Sequence, residues 1–251
     1  MFKYMKYELR GTYKFMLSIL LTVLFSTTGI QLFTNNQIND SRNGMLMNFL
    51  PLLFVGFMLV IFGALVAATI FIISSYRREL YEDRGYLTFT LPLTGRQILG
   101  SKLIIALFWY IAIGVAVVVY NGILGTILFG SGWITQLLRV FDDFGIIVIN
   151  NGIMSILSSI ITMLLVYFSI TLSKVSFKNT KIGGIWFVLF LFFNWIYSFL
   201  NHRIGMIFSG VDNLYEFMGT AISIPSIIFS ILVGIGLFLG TSYLIEKKID
   251  M

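Results

Sequence analysis

Phe49–Ile73 reads FLPLLFVGFMLVIFGALVAATIFII, twenty-five residues without one charged side chain. A helix rises about 1.5 Å per residue and a bilayer's hydrocarbon core is about 30 Å thick, so some 20 such residues suffice to cross it. Working outward, five more stretches meet the same requirement: Phe15–Phe33, Leu103–Phe129, Gly145–Leu172, Ile182–Leu200 and Ile224–Ile245. None contains Lys, Arg, Asp, Glu or His, so every ionisable side chain of those types lies in a connection or a tail. The fold class expected is an all-α membrane protein of six transmembrane helices in a single domain, residues 1–251. Pro51 and Pro225 fall where spans 2 and 6 begin, positions at which a missing N–H costs little.

Composition agrees and excludes other classes. Of 251 residues 58% are apolar and 11% charged, against about 25% charged in a soluble domain. There is no cysteine and one histidine, His202, which removes disulfides, thiolate chemistry and multi-histidine metal sites. Spans free of charge also disfavour proton coupling, which needs an ionisable group inside the membrane. A secondary transporter or channel is thereby disfavoured, and no acid/base or metal set for a membrane enzyme can be assembled.

Spans alternate sides, so basic residues can be assigned to sides. Lys3, Lys6, Arg10, Lys14, Arg77, Arg78, Arg84, Arg96, Lys102, Lys174, Lys178, Lys181, Lys247 and Lys248 fall on one side; Arg42, Arg139 and Arg203 fall on the other. The positive-inside rule then places both termini in the cytoplasm of a cell, as a multi-pass protein of the plasma membrane. The net charge of +6 thus borders membrane spans, where it favours anionic lipid, and does not indicate nucleic acid. Within residues 1–14 Phe2, Met5, Leu9 and Tyr13 recur at helical spacing among Lys3, Lys6, Arg10 and Lys14, the pattern of a helix lying in the interface.

The connection after span 2 is longer and richer than topology requires. Between residues 74 and 102 lie eight of the chain's charged side chains, mixed in sign, with Leu80, Tyr81, Tyr86, Leu87, Phe89 and Leu91 expected to be exposed. Apolar anchors within a polar rim make a docking surface. Residues 95–102, GRQILGSK, imitate a Walker A loop but end Gly-Ser-Lys and run straight into a span, so the chain has no nucleotide site of its own.

Arg78-Glu79, Asp83-Arg84-Gly85-Tyr86-Leu87, Thr90-Leu91-Pro92-Leu93-Thr94 and Ser101-Lys102-Leu103 together resemble a recurring loop of ABC-2-type transporter permeases. The specific part of the likeness covers about 25 residues; span count, length and cytoplasmic termini extend it over the chain. It implies a bacterial exporter of two permease subunits, identical or homologous, with two cytoplasmic ATPase subunits that bind ATP and magnesium. The permease itself is then no enzyme and holds no cofactor or metal. The loop would carry a coupling helix, with Arg78, Glu79, Glu82, Asp83, Arg84, Gly85 and Tyr86 at the ATPase interface. Lys174, Phe177 and Lys178 in the next cytoplasmic loop would make a second contact. A short re-entrant helix is expected outside, over Val211–Met218. Relatives of this size export peptide toxins, phenol-soluble modulins among them, so apolar or amphipathic cargo is expected: peptide, lipid or drug. The alternative from another class is a non-transporting scaffold or sensor that recruits a cytoplasmic partner through the same loop.

Overall fold

The computed structural model describes residues 2–39, 46–81, 94–130, 132–176, 184–208, 214–217 and 220–247. They form α1 (Phe2–Asn39), α2 (Leu46–Tyr81), α3 (Gly95–Phe129), α4 (Gly132–Ser176), α5 (Ile185–Phe208), a hairpin of β1 (Leu214–Phe217) and β2 (Thr220–Ser223), and α6 (Ile224–Lys247). All six helices are long and apolar enough to cross a membrane. This is the fold class of a multi-pass membrane protein.

Helix lengths depart from the sequence reading. α1 runs 38 residues with no break at residues 14–15, so the basic N-terminal segment continues the first span instead of forming a separate helix. α4 begins at Gly132 and runs 45 residues, about 68 Å, passing through Asn150, Asn151 and Gly152 without interruption. α2 begins at Leu46, which puts Pro51 in its second turn. α3 ends where Gly130 takes a φ of 78° and its N–H bonds the Thr126 carbonyl at 3.0 Å, a left-handed stop that glycine adopts without penalty. Between α5 and α6 the helix expected over 211–218 is corrected: Leu214–Phe217 is a strand, paired antiparallel with Thr220–Ser223.

The chain divides into two compact units, residues 3–72 with 105–143, and residues 73–104 with 144–251 and the first two residues. In the first unit α1 and α3 run parallel. The Trp109 indole N–H donates to Thr12 Oγ1 at 3.1 Å, the Tyr120 and Thr28 hydroxyls meet at 2.6 Å, and Gln31 Nε2 donates to Asn121 Oδ1 at 2.9 Å. α2 runs against them, stacking Phe71 on Phe15 and bringing Thr69 within 2.6 Å of the Tyr110 hydroxyl. In the second unit α4 and α6 run parallel, with Leu164 beside Gly234 and Phe168 beside Gly240, while α5 opposes α6 through Tyr197 and Ser230.

One chemical device recurs in these contacts. Thr28, Thr69, Thr171 and Ser230 each donate their hydroxyl proton to the backbone carbonyl four residues earlier, at 2.6 to 2.8 Å. Each then has lone pairs free to accept from a tyrosine on another helix: Tyr120, Tyr110, Tyr76 and Tyr197. In a medium without water every polar group must be satisfied within the protein, and this pairing satisfies both partners while joining two helices.

The apolar surface points the other way. Phe25 is 84% exposed, Val118 67% and Ile127 72%, and none of the described residues of α5 is buried. Such exposure would aggregate a soluble domain but matches a surface solvated by lipid. Of the small-residue pairs legible in the sequence, Ala64 and Ala68 are buried, and Gly240 sits where a Cβ would lie 3.6 Å from the Phe168 ring. Gly236 faces open space.

Candidate functional site

The candidate site is the polar cluster where, in the second unit, the end of α2 meets the start of α3 and the ends of α4 and α6. α2 continues through Tyr81, so Tyr76 and Leu80, spaced four apart, turn one face inward and are both buried. The expected exposure of Leu80 is therefore corrected, since only 6% of it is accessible, and Tyr81 is half-buried. Tyr76 stacks on Tyr167 with ring centroids 4.3 Å apart and donates to Thr171 Oγ1 at 2.7 Å. The Tyr81 hydroxyl donates to Ser173 Oγ at 3.3 Å, and the Lys174 ammonium lies 4.9 Å from the centre of the Tyr81 ring. These contacts fasten α2 to α4.

The start of α3 is capped twice. Thr94 Oγ1 accepts from the Gln97 N–H at 3.3 Å, and Gln97 Oε1 accepts from the Thr94 N–H at 3.2 Å, a reciprocal capping box. The Gly95 N–H donates to Glu246 Oε1 at 2.7 Å, so a carboxylate from the end of α6 sits at the positive end of α3. Gly95 is also a close approach: a Cβ there would fall 2.7 Å from the Ser242 carbonyl oxygen. One ion pair completes the cluster. Lys102 Nζ donates to Glu79 Oε1 at 2.7 Å, with side chains 3% and 17% exposed.

The residues singled out by sequence thus part company. Arg78 is exposed on the last turn of α2, while Glu79 is engaged by Lys102. Lys174 packs over Tyr81. Glu82, Asp83, Arg84, Gly85 and Tyr86 lie outside the described residues, as do Phe177 and Lys178. Sequence reasoning missed Tyr76, Thr171, Ser173 and Glu246. The four-residue spacing of Tyr76 and Leu80 is a readable signal for an inward face; Glu246 carries none, because its partner lies 151 positions away.

Among the described residues no group of three or more His, Cys, Asp or Glu is placed to hold a metal. The cluster offers no nucleophile beside a base. It consists of a buried ion pair, a capped helix start and tyrosine hydrogen bonds, which hold the helix ends on either side of residues 82–93 on the rest of the unit. No protein-family model, curated protein or solved structure matches this chain.

Proposed function

We propose that the chain is the membrane subunit of an ATP-driven exporter of the ABC-2 kind, in a bacterial plasma membrane with both termini cytoplasmic. Arg78, Glu79, Glu82, Asp83, Arg84, Gly85 and Tyr86 would form the ATPase-coupling interface, and Lys174, Phe177 and Lys178 a second contact. Two copies of a cytoplasmic ATPase would bind ATP and magnesium, and a second permease copy or homologue would complete the passage. The observation that carries the reading is the loop pattern from Arg78 to Lys102, flanked by two helix ends that are pinned to each other through Glu79 and Lys102. A connection that transmits force has to be rigid at its roots, and a buried, charge-assisted hydrogen bond supplies that rigidity. Cargo is apolar or amphipathic, because the sequence-defined spans contribute no charge with which to recognise an ionic solute.

Purification of the tagged chain from native membranes in mild detergent tests the proposal. An ATPase with Walker A and signature motifs should accompany it in stoichiometric amount. Glu82→Lys with Asp83→Lys should leave insertion intact, keep the ATPase active and abolish its coupling to cargo. A chain that purifies alone and moves solute down an ion gradient would overturn the reading.

A further inference from the structure

We propose that α1 carries a binding site for an anionic phospholipid, laid lengthwise along one face of the helix in the leaflet that the N-terminus adjoins. The inference requires only that the chain spans a membrane, and stands apart from the transport reading. At 3.6 residues per turn, Lys6, Arg10, Lys14, Leu17, Leu21 and Phe25 fall within about 100° of arc on α1. All six are exposed, Leu17, Leu21 and Phe25 at 47%, 57% and 84%. The opposite face carries Thr12, Met16, Ile19, Val23 and Thr27, each buried. The outward face is thus not a core face lacking its partner within the chain.

Its chemistry changes once along its length, from cations to hydrocarbon, within the single turn between Lys14 and Leu17. That is the order of groups on a phospholipid met from the aqueous side. Lys6 to Leu21 spans about 22 Å along the helix, equal to half of a bilayer about 40–45 Å thick with its headgroups. No carboxylate among the described residues pairs with Lys6, Arg10 or Lys14. Three cations without a counter-charge among the described residues, directly above an apolar strip, complement a phosphate joined to acyl chains. A zwitterionic headgroup would set its own ammonium against them. Each basic residue held near an anionic membrane surface adds about fivefold to binding.

The test is native mass spectrometry of the full-length, delipidated chain in detergent, titrated with phosphatidylglycerol or with phosphatidylcholine of the same chain length. Phosphatidylglycerol should bind at least tenfold more tightly, and Arg10→Gln with Lys14→Gln should weaken it by about thirtyfold while leaving phosphatidylcholine unchanged. Lys247→Gln with Lys248→Gln, equal in charge lost but placed at the other terminus, should keep the wild-type affinity. The unmodified chain gives an independent reading, since raising the salt should weaken phosphatidylglycerol alone. Equal affinity for the two lipids, a double variant at 10 and 14 that binds normally, an equal loss in the C-terminal control or a salt-independent affinity would each overturn the site.

Discussion

Lys102 Nζ meets Glu79 Oε1 at 2.7 Å, and through that one contact the last turns of α2 and the first turns of α3 are joined across the connection between them. Both side chains are nearly shut off from solvent. A pair in that setting costs much to desolvate and so adds little net stability, yet it is severe to break on one side, because the surviving charge is left buried. Lys102→Met should therefore destabilise the protein by about 3 kcal/mol, and Glu79→Gln with Lys102→Met should recover most of that loss. Thermal unfolding in detergent, followed by tryptophan fluorescence, reads both; additive losses would show that the two residues are not coupled.

Gly95 gives a prediction whose sign is informative. In an exposed helix Gly→Ala stabilises by about 1 kcal/mol. Here the added methyl group would meet the Ser242 carbonyl oxygen at 2.7 Å, backbone that cannot rotate away. Gly95→Ala should instead lower stability by about 1–3 kcal/mol, the range for overpacking. A raised melting temperature would mean that α3 and α6 are not in contact there.

Tyr76 separates packing from hydrogen bonding. Thr171 keeps its bond to the Tyr167 carbonyl at 2.8 Å whichever residue faces it. Tyr76→Phe should cost only about 1 kcal/mol, whereas Tyr76→Ala, which empties a fully buried ring position, should cost about 3–5 kcal/mol. Equal losses in the two variants would assign the whole effect to the hydroxyl.

In the other unit, Gln31 Oε1 is buried without a hydrogen-bond partner while its amide N–H₂ bonds Asn121. Asn121→Leu would strand the Gln31 donor as well and should cost about 1–2 kcal/mol. Gln31→Leu with Asn121→Leu removes every polar atom of the pair and should restore or exceed wild-type stability, measured by chemical unfolding in detergent. A double variant weaker than either single one would show that the amides fix the register of α1 on α3.

The six apolar stretches and the one-sided distribution of Lys and Arg were legible from the chain alone, for a physical reason. Transfer into a bilayer depends on each segment's own composition and length, so membrane class needs no knowledge of neighbours. The ends of the connection over residues 82–93 were half legible: Arg78, Glu79 and Lys102 stand out by type, yet type alone does not tell a solvated charge from a paired one. Leu80 and Tyr81 looked like exposed anchors because the end of α2 was not visible; once the helix continues to Tyr81, its period turns Leu80 inward. The hairpin between α5 and α6 was missed because its four-residue strands carry too little periodicity to overrule a helical reading.

By itself the sequence determined that this chain is made for a membrane and where its uncharged spans lie. The tertiary structure alone decided that Glu246 caps α3, that Glu79 is consumed by Lys102, and that four tyrosines bond hydroxyls already committed to their own helices. Burial of an apolar segment in lipid is a sum over its residues. A hydrogen bond between helices depends on a distance and an angle set by every other contact in the unit, and no local stretch of sequence encodes that.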